Sequence, residues 1–345
     1  MYRLRRLVAA LATFTVIVFL FPSTPQGARA RDIAQTAPAK RPNGPRTNVR
    51  QGMPGARSKR RPGGQSSMAS SMLPKSGSKY VGWDVFCSYA DSAKDDPIVK
   101  PGQPGASHSH DFFGNMSTDA FSTYQTMTDQ ETTCDIPEDT AAYWVPSLYV
   151  DGRQVVPGTG RSLLSGRPLG VKVRYYSTTI ASAGVTYSLI PADLRMVVGV
   201  SSATTPAENP TLGSRMYWGC TPQEDRLLGV KARGTAPRHC ASGVTSLFIR
   251  FPNCWDGVHT DSPDHRSHVA NSDTKNHCPT GYPMHLPPII LYIEYFVGPN
   301  WNRIELASGD TSSVHADFWN TWNQSALNHM IEKCLFAKRW CGTFD

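Results

Sequence analysis

Apolar positions fall into three regimes along the chain. From Leu7 to Phe21 they form one run without a charge, ended by Pro22. From Arg31 to about Ser78 they almost vanish, leaving Pro, Gly, Ser, Arg and Gln. From Tyr80 onward they return as short runs rich in Val, Ile, Tyr and Thr, each bounded by Gly, Pro, Asn or Asp. Runs of that kind are strands separated by turns.

The clearest strand runs are Tyr143 to Val150, Leu169 to Tyr176, Met196 to Val200, Ser246 to Phe251 and Ile289 to Val297. Asp151-Gly152 lies between two of the shorter runs and predicts a two-residue hairpin turn of the type I′ kind. The 28 glycines and 27 prolines sit mostly between runs, which argues against a helical bundle. One segment has helical spacing, Asp317 to Ala337, where Phe318, Trp322, Leu327, Met330, Ile331 and Leu335 recur mostly at three- and four-residue steps. Asp317 stands where its N-cap would. The expected class is therefore mainly β: a single β-sandwich or jelly-roll-like domain over residues 79–345, with long disulfide-bridged loops and one C-terminal helix.

The two earlier regimes predict an address. Three arginines precede the apolar run, and Ala28-Arg29-Ala30 supplies an A-x-A-like cleavage site, so residues 1–30 read as a signal peptide. A run of 15 residues is short of the roughly 20 that span a bilayer as a helix. Residues 31–78 cannot bury enough surface to offset the entropy of ordering, and read as a disordered linker. Charge changes the picture of possible partners. The net +8 divides into 15 basic residues against one acid over residues 1–79, and 20 basic against 26 acidic in the remainder. The domain itself is thus mildly acidic, which disfavours nucleic acid as a partner. The basic linker is either solvated or touches an anionic wall polymer or membrane surface. All eight cysteines lie in the domain, and in an exported chain they read as disulfides. Short local loops favour Cys220 with Cys240, Cys254 with Cys278 and Cys334 with Cys341. A secreted or envelope-associated extracellular monomer is expected, with no segment after the leader apolar enough to span a membrane.

Three stretches concentrate the side chains capable of chemistry. The first is His108-Ser109-His110-Asp111-Phe112-Phe113-Gly114. The second runs Cys254-Trp255-Asp256-Gly257 and then Asp261-Ser262-Pro263-Asp264-His265-Arg266-Ser267-His268, inside the loop that Cys254 and Cys278 would close. The third is His315-Ala316-Asp317-Phe318. Two histidines one residue apart on a strand share a face, about 7 Å apart at the backbone. That geometry suits two ligands of one divalent metal ion, or a base beside its orienting partner. A cupin would follow its H-x-H with a glutamate at a set spacing, and none stands there. Candidate catalytic residues are His108, His110, Asp111, Asp256, Asp264, His268, His315 and Asp317, with His108 and His110 as candidate metal ligands. A hydrogen-bonded histidine pair in the core and a capping role for Asp317 are the structural alternatives.

These stretches, in this order between about Tyr80 and Trp322, resemble the signature blocks of the DUF1996 family of secreted bacterial and fungal proteins. The chain departs from the family at Tyr282-Pro283-Met284-His285 and at Asn320-Thr321-Trp322. The resemblance implies an exported context and no particular reaction. Two functional classes follow. The first is a carbohydrate-active enzyme, a hydrolase or lyase of an extracellular polysaccharide, with Trp144, Trp255, Trp301 and Trp319 available to stack on sugar rings. Hydrolysis would need two carboxyl groups about 5 to 9.5 Å apart. Elimination would need a base such as His108 or His110 and a neutralising group such as Arg266 or a metal ion. The second class is a polysaccharide-binding or wall-associated protein with a structural His/Asp or metal site. A serine or cysteine nucleophile is disfavoured, because there is no G-x-S-x-G and the cysteines are oxidised.

Overall fold

The computed structural model describes residues 80–178, 183–229 and 233–342. The expected signal peptide and linker lie outside the described residues. Two sheets carry the domain. The larger has seven strands in the order Arg233–Gly234, Met216–Gly219, Val244–Arg250, Ile289–Phe296, Val171–Thr178, Tyr80–Phe86 and Trp340–Gly342. The smaller has five, in the order Tyr89–Ala93, His110–Gly114, Ala142–Pro146, His315–Trp319 and Arg195–Gly199. Every neighbouring pair is antiparallel except Trp340–Gly342 beside Tyr80–Phe86. The predicted strand 143–150 is two strands, Ala142–Pro146 and Leu148–Val150, which diverge into different sheets at Ser147. The hairpin forms as the sequence predicts: Val150 pairs with Arg153, and Asp151 and Gly152 both have positive φ, at 52° and 72°.

Alternation sets which side chains face the core. Phe113, Tyr143, Val145, Met196, Val198, Ala316 and Phe318 of the five-stranded sheet join Trp83, Val173, Tyr175, Ile249, Leu291 and Ile293 of the seven-stranded sheet in one continuous core. The intervening residues of the smaller sheet point the other way. There Phe112, Ala142, Trp144, Val197 and Trp319 form a second cluster with Ile98 from a loop and Met127 from the short helix Tyr124–Met127. The outer face of this sheet is thus buried too, under loop residues rather than a third sheet. Its three central strands are buried throughout, which is why they show no clean alternation, while the edge strand Tyr89–Ala93 is partly exposed.

The helix is shorter and later than its sequence pattern. His315–Trp319 is a strand, and the helix begins at Gln324, capped by Asn323, whose side chain accepts from the Ala326 N–H at 3.1 Å. It runs to Met330 and continues as π-helix to Phe336. Asp317 is therefore not an N-cap. Four disulfides brace the loops: the three short-range pairs expected from spacing, and Cys87 with Cys134. No helix among the described residues is long and apolar enough to cross a membrane.

Candidate functional site

Period two along His110–Gly114 and His315–Trp319 puts His110, His315 and Asp317 on the outer face of the five-stranded sheet, and Asp111 on the inner one. Strand His315–Trp319 pairs with Arg195–Gly199, with His315 opposite Gly199. Gly199 has φ +89°, and a Cβ there would stand 2.4 Å from the Val314 carbonyl oxygen and 2.7 Å from the His315 Cα. Only glycine lets the edge strand approach His315 this closely.

The loop before strand His110–Gly114 folds over this face. Asp95 holds it, accepting from the N–H groups of Gly105 at 2.9 Å and Ala120 at 3.1 Å. The Asp95 carbonyl oxygen accepts from His110 Nδ1 at 2.9 Å, and the Ser313 carbonyl oxygen accepts from His315 Nδ1 at 2.8 Å. A carbonyl only accepts, so both Nδ1 atoms carry hydrogen and both Nε2 atoms carry a bare lone pair in the neutral rings. Those lone pairs converge. His315 Nε2 lies 3.3 Å from His110 Nε2 and 3.0 Å from His108 Nε2. His108 stands in the loop just ahead of the strand, yet its ring centroid is 4.3 Å from that of His110.

Burial keeps the three rings neutral. It lowers His315 to about 3, with the neighbouring His108 and Arg266 adding to the effect. It holds His110 well below the ordinary imidazole value, reinforced by His315 and His108, and lowers His108 as well. Beside the rings, Asp317 is 1% exposed, and neither of its carboxylate oxygens has a hydrogen-bond partner. Burial, with Asp96 nearby, raises it well above the ordinary carboxyl value against the pull of Arg266. Asp96 is buried and also raised by burial, although the Val99 and Ile98 N–H groups bond its Oδ1 at 2.9 and 3.2 Å. Donor atoms of Asp96, His110 and Asp317 lie within 4.8 Å of one another, as do those of His108, His110 and His315. Either set has the chemistry to hold a cation.

A cavity of about 270 Å³ opens here. His108, His315, Asp317 and Asp96 line it together with Lys100, Asp264, His265 and Arg266. The second stretch of the sequence thus supplies part of its wall. Asp264 organises that wall: its Oδ1 accepts from the Ser262 and Ser267 hydroxyls and from the N–H groups of Arg266 and Ser267, at 2.7 to 3.1 Å. These bonds, led by the Ser267 N–H, hold its carboxyl far below the usual range. Arg266 then reaches the Val197 carbonyl at 3.2 Å.

The remaining sequence candidates lie elsewhere. His268 straps the loop to the sheet, donating from Nε2 to the Arg195 carbonyl at 2.7 Å, with Ser262 Oγ 2.8 Å from its Nδ1. Asp256 pairs with His259 Nδ1 at 2.7 Å and, with His268, lines a separate depression. Asp111, on the inner face, receives Ser147, Ser92 and Gln154 on one oxygen at 2.6 to 2.8 Å. Trp144 and Trp319 are buried in the outer-face cluster and offer no open face to a sugar, whereas Trp255 and Trp301 are half-buried against the main core. The residue that the sequence did not yield is Asp96, which sits in a Lys-Asp-Asp-Pro turn with no spacing to tie it to a histidine.

Fold and site together define a disulfide-braced β-sandwich with a three-histidine, two-carboxyl cluster, buried except at His108, on the outer face of one sheet. The chain belongs to the family described as domain of unknown function (DUF1996), whose model matches residues 96–322. That span begins at Asp96 and includes every side chain of the cluster. No curated protein and no solved structure matches the chain.

Proposed function

We propose that this is an exported carbohydrate-active enzyme that cleaves an extracellular polysaccharide in the cavity above the histidine cluster. The observation that carries the reading is Asp317, a buried carboxyl with no partner on either oxygen, facing a cavity that also holds Arg266 and Lys100. A buried polar group is normally bonded, and an exception points to a group reserved for a ligand or a reaction. Four disulfides and the leader of the sequence support an oxidising, extracellular address.

The cations beside the carboxyl pair favour elimination of a uronate, since an oxygen separation under 4.8 Å excludes an inverting pair but not a retaining one. Inverting hydrolysis sets two carboxyl groups about 6.5 to 9.5 Å apart to admit a water, and retaining hydrolysis about 5 to 5.5 Å apart. Asp96 and Asp317 bring donor atoms within 4.8 Å. A close pair sharing one proton suits the removal and return of protons on one side of a sugar. Asp317 takes the proton from the carbon beside a uronate carboxylate, and that electron pair forms the C=C bond. The C–O bond to the departing sugar breaks, and its oxygen leaves with the proton of Asp96. Arg266 and Lys100 neutralise the uronate.

A panel of neutral and uronate-containing polysaccharides tests this. The expected result is an unsaturated, ultraviolet-absorbing product from a uronate polymer. Reducing ends without unsaturation would replace elimination by hydrolysis. Glycan binding with neither product would overturn the enzyme reading and leave a binding module.

A further inference from the structure

We infer that His108, His110 and His315 bind one divalent transition-metal ion of the zinc class through their Nε2 atoms, with Asp317 bonded to the ion's remaining, exchangeable ligand. The inference concerns binding and stands apart from any glycan chemistry.

The tautomers argue for it first. Backbone carbonyls fix hydrogen on Nδ1 of His110 and His315, so two bare Nε2 lone pairs face each other across 3.3 Å. Two lone pairs at that distance repel. A cation between them satisfies both. Metal-bound histidines commonly have this arrangement, in which the distal N–H is anchored on a carbonyl and the other nitrogen is left to the ion.

Distance agrees. With Zn–N bonds of about 2.0–2.1 Å and tetrahedral angles, two ligating nitrogens stand about 3.3 Å apart. The observed separations are 3.3 and 3.0 Å. Donor type then narrows the ion: three imidazoles suit zinc, copper, iron or nickel, whereas calcium and magnesium take oxygen ligands.

Asp317 is the second, independent observation. It is two residues beyond His315 on the same sheet face, buried, and without a partner on either oxygen. Three protein ligands leave a tetrahedral ion one position for water or substrate. A water held there would donate to Asp317, accounting for the unpartnered carboxylate and setting negative charge beside the ion. His108 is half-buried, and His108, His315 and Asp317 all line the cavity, so a ligand from the cavity has access to the remaining position.

The test uses the full chain, stripped with a chelator and titrated with Zn²⁺ and, for its visible spectrum, Co²⁺. One equivalent of either is expected to bind, and Ca²⁺ and Mg²⁺ are expected not to compete. His108→Ala sits in a loop and is expected to leave the thermal unfolding midpoint of the metal-free protein unchanged, yet to weaken binding on the order of 100-fold or more. Asp317→Asn is expected to keep one equivalent with affinity lowered roughly 10- to 100-fold, as outer-shell partners do. His315→Ala is expected to abolish the Co²⁺ spectrum. If folded wild type takes up no stoichiometric Zn²⁺ or Co²⁺, the inference is wrong. It is equally wrong if the ion binds but both His108→Ala and His315→Ala, each folded, bind it undiminished. Metal binding with no glycan cleavage would uphold this inference while removing the proposed activity.

Discussion

Asp139 and Asp317 are two fully buried carboxyls of one domain, and their surroundings differ in kind. Asp139 lies against the shared core, where it accepts from the Tyr143 hydroxyl on both oxygens at 3.1 Å and from the Ala141 N–H at 3.2 Å. Tyr143 in turn meets Tyr175 at 2.7 Å, and Trp322 donates to Tyr175 at 2.8 Å. Asp317 has no such partner, although it is as thoroughly enclosed. Burial raises both carboxyls well above the ordinary value. Only one is in a network that completes itself. A satisfied buried carboxyl fixes packing, whereas an unsatisfied one costs stability and is retained where a ligand or reaction uses it. The inner side of the five-stranded sheet meets the completed network at Asp139, and its outer side, under the two loops, holds the carboxyl with no partner on either oxygen.

The largest effect that separates the two sides is expected from Asp317→Asn. Removing a positioned acid–base group typically costs a factor of 10² to 10⁴ in rate, about 3 to 5 kcal/mol of activation free energy. Cleavage of the best substrate in the panel should fall by that factor. Thermal unfolding of the metal-free protein should hold or improve, since an uncompensated buried carboxyl is replaced by a neutral amide. Loss of activity together with a large loss of stability would place Asp317 with Asp139 and erase the distinction between the two faces.

Asp139→Asn should do the reverse, leaving cleavage by the folded enzyme intact while changing stability by about 1 to 3 kcal/mol. Its pH dependence carries the sign. Folded Asp139 holds its proton more tightly than the unfolded chain does, so this group's contribution is most favourable below the unfolded value near 3.8. It becomes less favourable as pH rises from there toward the raised folded value. Asparagine does not titrate. Denaturant melts from about pH 4 to 8 should therefore show the variant's deficit shrinking as pH rises. A deficit that grows with pH would mean that Asp139 is stabilised in its ionised form.

The same contrast explains what could be read from the chain. Strands such as Val244–Arg250 and Ile289–Phe296, though interior to their sheet, announce themselves by β-branched and aromatic runs that end at a Pro or Gly. Strand His315–Trp319 does not, because all five of its residues are buried and His315, Asp317 and Trp319 face one way while Ala316 and Phe318 face the other. With its period hidden, the segment was absorbed into the helical pattern that begins in earnest after Asn323. His108, His110 and His315 were legible as motif residues, but not as a convergence, since 205 residues separate His110 from His315. Asp96 was not legible at all. Its burial is created by a loop folding onto the far face of a sheet, and nothing in Lys94-Asp95-Asp96-Pro97 signals that.

The smallest effect is expected at Asp264, which lies in the cavity wall and so tests whether the loop is part of the outer-face chemistry or only its cover. Its carboxylate gathers two hydroxyls and two backbone N–H groups from Ser262, Arg266 and Ser267. Losing it frees the turn that aims Arg266 at the cavity, but it removes no group from the histidine cluster. The loop is also anchored independently by His268 on the Arg195 carbonyl and by the Cys254–Cys278 disulfide. Asp264→Ala should therefore cost no more than about 1 kcal/mol of stability, the scale of a lost turn-capping bond. KM for a uronate polymer should rise several-fold while kcat changes little, because substrate positioning is weakened and the proton-transfer pair is untouched. A fall in kcat with KM unchanged would instead put Asp264 among the reacting groups, and the boundary between the chemical face and its cover would move outward to include it.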